Sequence, residues 1–448
     1  MLNYNTYTFS SIIAEDFTKY NAQKIAQILS NIIKKSKSNS PVVIGHDSNF
    51  LSNTATKWFV DILSNNGIPT LVYNTHTTTP IIKYTLETNN YPYGVIITNP
   101  TSSANTNGIK IIENTSCSKI ENIAKLINKN IKIKYNQQKK YKNTQLFQTI
   151  DNQSDYTKNL LSMVSKDKKE NTLRVLLGTN NMSAKDIFQT ISKHIKIKKI
   201  DFSETRDLDL FAKETVKGKY NIGILLNNDS TTLTIVDDKG NIHNNNSILP
   251  VVYYYLIKYK NLTGDIVKTR DLNNLVDSIS KHYNQNCHEV SNNTKDLLQK
   301  MQETNSVLAG DVSNEIYLKD YLTVPDATLI SILLLDAMYK SGKSINRIMS
   351  DIKKKTGYIS TIMEKSYTIE DKNSLIKQML KKSPNFSYKP TNTIVENNLI
   401  KYVFDDNSSI IFRFINDQKL ILSLEFQTEI ECERNIKVVD NYISPTNE

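Results

Sequence analysis

Cysteine is scarce in this chain: Cys117, Cys287 and Cys432 are the only three in 448 residues. Their odd number and wide spacing exclude a disulfide framework and any CxxC metal knuckle. Glycine is scarce too, with 12 residues where about 7% of a chain is usual. That leaves few positions where the backbone can turn left-handed or approach a phosphate closely. No apolar run reaches the roughly 18 residues that a membrane span needs. The longest runs, Ile248–Ile257 and Leu329–Met338, are too short or broken by polar residues. The opening residues MLNYNTYTFSS lack a basic stretch followed by an apolar one, the pattern of a secretory leader. A reducing cytoplasmic compartment without membrane contact is therefore expected.

What is present fits a folded chain of several domains. Hydrophobic residues make up 39% and charged residues 23%, which excludes a wholly disordered polymer. Lys and Arg number 56 against 45 Asp and Glu, a formal charge of +11. The basic runs Lys34-Lys35, Lys139-Lys140, Lys198-Lys199 and Lys353–Lys355 are scattered along the chain. A nucleic-acid binder gathers such residues on one face, so the charge reads as solvated surface. Asn, Lys and Ile are abundant throughout, as expected of AT-rich coding.

Strand and helix patterns alternate through most of the length. In the first third, Val42–Gly45, Pro69–Asn74 and Gly94–Asn99 read as strands. Leu51–Ser64, Thr79–Asn89 and Ser118–Lys129 read as helices. The same grammar recurs with strands Leu173–Thr179, Ile197–Phe202 and Asn221–Asn227, a helix Ser183–His194, and a hairpin Thr232–Asn241 turning at Lys239-Gly240. A third unit has helices at Ile248–Tyr259, Leu272–Tyr283, Thr294–Thr304 and Ala327–Lys340, with strands Asp265–Thr269 and Ser306–Asp311. From about Ser366 a helix, Lys372–Lys381, precedes alternating strand segments of antiparallel type. The expected fold is three consecutive α/β domains with mixed sheets plus a C-terminal α+β domain. The expected boundaries are 1–145, 146–246, 247–365 and 366–448.

In that order of segments the chain resembles the α-D-phosphohexomutases, the phosphoglucomutase and phosphomannomutase type, over nearly its whole length. VVIGHDSNFLS (Val42–Ser52) resembles the family's VVVGRDTRxSS. GVIITNPTSSANTNGIKI (Gly94–Ile111) fits GIxITASHNPxxYNGxK without a gap, ending in the matching Asn107, Gly108 and Lys110. NIGILLNNDSTTLTIVDDKGN (Asn221–Asn241) fits DGDxDRxxVVDxxG. Val307–Ile345 fits the segment around GExSGH, and Ser409–Glu425 lies where RxSGTEPxxR would be. The resemblance implies four domains around a central cleft.

It also implies a chemistry that these residues match poorly. A mutase of this family moves phosphate between sugar oxygens through a phosphorylated serine, which acts as nucleophile and then as leaving group. Pro100 stands at that position. Thr101 and Ser102 are the rival nucleophiles, with Ser103 next, though displacing a reacting atom by about 1 Å is costly. The family's Mg²⁺ is held by three alternating aspartates; here Asn227, Asp229 and Thr231 hold those positions, and Thr232 replaces the following arginine. Mg²⁺ is accordingly expected to be lost or weakly bound. Asp237-Asp238 reads as a water-facing part of the hairpin turn.

Among substrate-binding positions, Asp311 and Ser313 keep the residue types of the sugar loop, while its histidine has become Glu315. Arg413 alone survives from the phosphate loop, where Phe414, Ile415, Asn416, Asp417 and Gln418 remove the small donors. Lys295 matches a family lysine whose glycine neighbour is Asn293 here. Ile13, His46 and Asn49 replace early arginines. The six histidines form no HxxxH spacing, and no phosphate-binding glycine motif is present. The expectation is a mutase-like protein with a degraded centre, a pseudoenzyme without cofactor that binds an unknown protein partner or a vestigial sugar phosphate. The alternatives are an active sugar-phosphate mutase of carbohydrate metabolism with a rearranged centre, and a basic nucleic-acid-binding protein.

Overall fold

The computed structural model describes residues 3–5, 8–36, 39–99, 105–114, 146–164 and 171–443. The expected helix Ser118–Lys129 lies outside the described residues.

The first sheet has seven strands, in the order Asn3–Asn5, Thr8–Ile12, Thr106–Glu113, Tyr93–Ile97, Val42–His46, Thr70–Tyr73 and Phe147–Ile150. Val43 pairs with Gly94 and Ile44 with Val95 in parallel, so the two expected central strands are neighbours. Val42 and Ile44 pack toward the helices Lys19–Lys35 and Ser52–Asn65, while Val43 packs with Ile81, Ile82 and Leu86 of helix Thr79–Asn89. A sheet covered on both faces demands such uninterrupted apolar strands. Phe147–Ile150 pairs with Thr70–Tyr73, so this sheet runs past residue 145.

The second sheet orders Ile242–His243, Leu233–Asp237, Ile222–Leu226, Asn171–Gly178 and Ile197–Ser203. A helix absent from the sequence reading, Leu208–Lys217, covers it, capped by Asp207 accepting from the Leu210 N–H. Phe211 of that helix lies over Gly178 and Gly223, where an added Cβ would come within 2.9 Å of its ring. These two glycines are spent on close helix–sheet approach. The third sheet orders Cys287–Val290, Ile266–Thr269, Leu308–Gly310 and Ile316–Leu318. Beside it, helix Asn245–Lys260 contains Pro250. The carbonyl that this proline leaves unpaired, on Asn246, accepts from the Asn273 amide at 3.1 Å. Strands Cys287–Val290 and Ile316–Leu318 and helix Ile345–Thr356 were also not foreseen.

The fourth sheet is wholly antiparallel, in the order Thr361–Thr368, Lys419–Phe426, Ser409–Phe414, Leu399–Val403 and Asn392–Glu396. It begins before residue 366. Its core is separate, whereas one continuous apolar cluster joins the first three units. Polar contacts fasten the fourth unit to the third: Lys401 bonds Glu289 at 2.7 Å, and the Asn274 N–H reaches Glu425 at 3.1 Å. Among the described residues, no helix is long and apolar enough to cross a membrane.

One arrangement recurs in the three α/β units. A central strand from a parallel set runs into a loop and returns as an antiparallel neighbour: 93–97 to 106–113, 222–226 to 233–237, and 308–310 to 316–318. The loops so placed hold positions 100, 227–231 and 311–315. Open α/β sheets present their loops for ligands at these carboxyl ends.

Candidate functional site

The first loop is pinned at both stems. The Thr98 N–H bonds the Gly108 carbonyl at 3.0 Å, and the Asn105 carbonyl accepts from Ile13 at 2.8 Å. Asp47, buried at the end of the first central strand, accepts the Asn99 N–H at 3.0 Å and the Ser52 hydroxyl at 2.7 Å. Thr106 closes the ring by donating to the Asn99 side-chain oxygen at 3.0 Å. Pro100, Thr101, Ser102 and Ser103 lie outside the described residues. His46 is buried, with Nδ1 against the Asp47 backbone carbonyl at 2.9 Å, so the two side chains form no dyad.

The second loop is a tight turn, with the Ser230 N–H on the Asn227 carbonyl and Ser230 left-handed at φ 57. All three expected ligand positions meet inside it. The Asn227 side-chain oxygen accepts the Thr231 and Thr232 N–H groups at 2.8 and 3.1 Å. Asp229 Oδ1 accepts from the Asn227 amide and the Thr231 hydroxyl, both at 2.8 Å. Asp229 Oδ2 accepts from the Thr79 hydroxyl at 2.7 Å and from Lys110 Nζ at 2.9 Å. Burial acts to raise the Asp229 carboxyl, but the Lys110 charge and these donors outweigh it and hold it below the ordinary carboxylate range. Magnesium takes a shell of hard oxygens in near-octahedral array. A lone carboxylate with both oxygens already engaged, one by an ammonium, does not fit that requirement. Among the described residues, no group of three His, Cys, Asp or Glu side chains comes together to hold a metal.

The third loop closes on itself. Asp311 accepts the Glu315 N–H at 3.0 Å, and Tyr317 donates to Glu315 at 2.8 Å. Burial, then the Glu315 charge, pushes Asp311 well above the ordinary range. Burial raises Glu315 as well, against the pull of Lys110. Ser313 lies on the exposed side of this loop. Asp271, bonded to Thr269 at 2.6 Å and to the Asn292 amide at 2.7 Å, is also raised by burial, and Arg413 partly offsets that rise. Arg413 stands within a regular strand, opposite Leu399 and Ile421. Lys295 opens helix Thr294–Thr304, its N–H on the Asn293 side chain at 2.8 Å.

Mutual electrostatic influence thus links Asp229, Lys110, Glu315, Asp311, Asp271 and Arg413, one or more from each of the four units. Of the expected substrate-binding remnants, Asp311 and Arg413 belong to this electrostatic chain, as does Asp229 of the metal loop. Lys110 was legible only as a motif match, and its partnership with Asp229 was not foreseen. A strand places residues two apart on one face, so Gly108 and Lys110 share a side; nothing local points to residue 229. One reading is corrected: Asp237 does not face water. It is 1% exposed and bonds the Lys239 and Asn241 N–H groups at 2.8 and 3.0 Å, while Asp238 is the exposed member of the pair.

Two family models match the chain, phosphoglucomutase/phosphomannomutase alpha/beta/alpha domain I over residues 2–138 and domain III over residues 244–355, together more than half of its length. The chain belongs to the α-D-phosphohexomutase family. A phosphoglucosamine mutase of Fusobacterium nucleatum is 24% identical over 302 residues, which cover 61% of this chain and 64% of that protein. One from Histophilus somni is 27% identical over 147 residues, 33% of each chain. The match therefore spans less than two thirds of these relatives' length. Solved structures extend the likeness in fold. The Paramecium parafusin (phosphoglucomutase) in its open form superposes with a TM-score of 0.79 at 14% identity, covering 99% of this chain and 96% of that one. A phosphoglucomutase/phosphomannomutase family protein from Burkholderia thailandensis gives 0.74 at 13% identity, covering 99% and 98%. The phosphohexomutase architecture of four sheets is the one found here.

Proposed function

We propose that this family member does not carry out the mutase reaction and has kept the phosphohexomutase fold for binding, either of a sugar phosphate without turnover or of a protein partner. The observation that carries this reading is the pinned first loop. Asn99 is fixed by Asp47 and Thr106, and Asn105 by Ile13. The gapless fit to the family motif then puts Pro100, which has no nucleophile, where the phosphorylated serine belongs. The occupied Asp229 carboxylate and the loss of small donors around Arg413 act in the same direction. Each such loss alone commonly costs about a hundredfold in rate.

The relatives' name gives the second reading its substrate: an active mutase with a rearranged centre, acting on glucosamine phosphate or another hexose phosphate. One experiment separates the two. The protein is incubated with a glucose bisphosphate, then assayed with glucose, mannose and glucosamine phosphates, and its loop peptide is weighed. The expected result is no turnover, no added phosphoryl mass on residues 101–103, and no rescue by Pro100→Ser. A stoichiometric phosphopeptide with measurable turnover would establish the rearranged centre instead. Nucleic-acid binding through the cleft remains a third outcome, recognised by a steep loss of affinity with salt.

A further inference from the structure

The residues at the family's metal loop leave no open ligand position, and the group that closes it is a cation of the protein's own. Lys110 lies on the inner strand Thr106–Glu113, flanked on both sides: it pairs with Thr8 on one neighbour and Ile96 on the other. Its stem is thereby fixed in register, and its ammonium reaches across 119 residues of sequence to Asp229 at 2.9 Å. The two side chains are 15% and 5% exposed. A second contact from the same unit supports the first: Thr79 holds Asp229 by its hydroxyl and also donates its N–H to the Asp229 carbonyl at 3.0 Å. The third unit joins at the next residue, where the Ala327 N–H bonds the Ser230 carbonyl at 2.9 Å.

We infer that Lys110, a lysine the family motif also carries, is left as the sole counter-ion of Asp229 once Asn227 and Thr231 stand at the other two ligand positions, and that it keeps the junction of the first three units assembled without metal. A buried carboxylate without compensation is strongly unfavourable. Either a metal ion or an ammonium can neutralise it, but they compete for the same oxygens. An octahedral ion needs several hard ligands at once, and here only one carboxylate is available, with an amide and a hydroxyl that already bond each other. The lysine needs a single acceptor and is delivered by the strand. Metal binding would have to displace the ammonium, so the joint between units answers to Lys110 and not to Mg²⁺.

This inference is independent of the turnover reading, because it is measured on thermal stability with Mg²⁺ alone as probe. The melting temperature of the unmodified chain is expected to be the same in EDTA and in about 10 mM MgCl₂, since a ligand that binds the native state must raise it. Lys110→Met keeps the stem's volume and removes the charge. Its melting temperature is expected to fall by about 6 °C or more, as when one partner of a buried pair is removed. Lys110→Met with Asp229→Asn should be more stable than Lys110→Met alone, because the uncompensated charge is gone. If Lys110→Met does not fold, a folded double variant is the supporting result. Stabilisation of the unmodified chain by Mg²⁺ would overturn the inference. So would a double variant no better than Lys110→Met, since the lysine would then be acting by packing and not by charge.

Discussion

Two turns bound the same strand, Leu233–Asp237, and each wraps a buried aspartate. At one end, Asp229 is held by Thr79 and Lys110 of the first unit as well as by its own turn. At the other end, Asp237 is held mainly by its own hairpin: the N–H groups of Lys239 and Asn241, the Asn241 amide at 2.8 Å and His243 at 3.0 Å. Asn346 adds a single bond from outside the hairpin. Both carboxyls lie below the ordinary range. Burial works against each, and donors overcome it, bringing Asp237 down to about 2. One aspartate is a local turn device and the other a tertiary joint. Both came from one motif, DGDxDRxxVVDxxG, so a family pattern alone does not separate a residue that shapes a turn from one that holds domains together.

Removing the joint should cost most. Asp229→Ala strands the Lys110 ammonium and is expected to destabilise by about 3–5 kcal/mol. Amide exchange should quicken at Thr79 and Ala327, which meet the turn from the first and third units. If exchange quickened only within 227–232, Asp229 would be as local as Asp237. Asp237→Ala should cost less, about 1–3 kcal/mol, from donors left without an acceptor. Its exchange changes should be confined to 238–243. Equal losses in the two variants, measured by denaturant unfolding, would erase the distinction.

Acid sharpens the same comparison. The low value of Asp237 means that its contribution is complete above the unfolded carboxyl value near 4, and is lost as pH falls from there through about 2. The third loop behaves oppositely. Burial and the Glu315 charge raise Asp311, so above about 4 the unfolded chain has released a proton that the folded chain still holds. Stability then falls as pH rises through the folded value. Asp311→Asn removes that slope. Relative to the unmodified chain, its melting temperature should improve progressively as pH rises above about 4, by roughly 1–3 °C, the smallest effect expected. A difference independent of pH would mean that Asp311 carries its charge in the fold without penalty.

The elements best read in advance are those whose evidence is local. Thr79–Asn89 and Lys372–Lys381 form helices with the boundaries their residues imply. The apolar runs at 42–46 and 93–97 became central strands. Helix Leu208–Lys217 escaped notice because it buries only Phe211, Ala212 and Thr215, too narrow a stripe to stand out from its polar residues. Asp237 was misread for a related reason. Asp237 ends the strand and takes the donors of its own hairpin, whereas Asp238 begins the turn and is exposed, and an acidic pair in a turn gives no sign of which is which.

The sequence by itself determined the order of strands and helices, three α/β units followed by an antiparallel one, and the identity of the residue in each loop, Pro100, Asp229, Asp311 and Arg413 among them. Periodicity and motif spacing are properties of neighbouring residues and survive in a linear string. Only the tertiary structure decided that Lys110 would meet Asp229, that Glu315 would lie within reach of both, and that Arg413 would sit in a strand where it moderates Asp271. The reason is physical. Charges interact strongly only at a few ångströms in surroundings shielded from water, and that proximity is set by the packing of the first three sheets over a shared core and by the polar contacts that fasten the fourth to the third, which no local pattern of residues encodes.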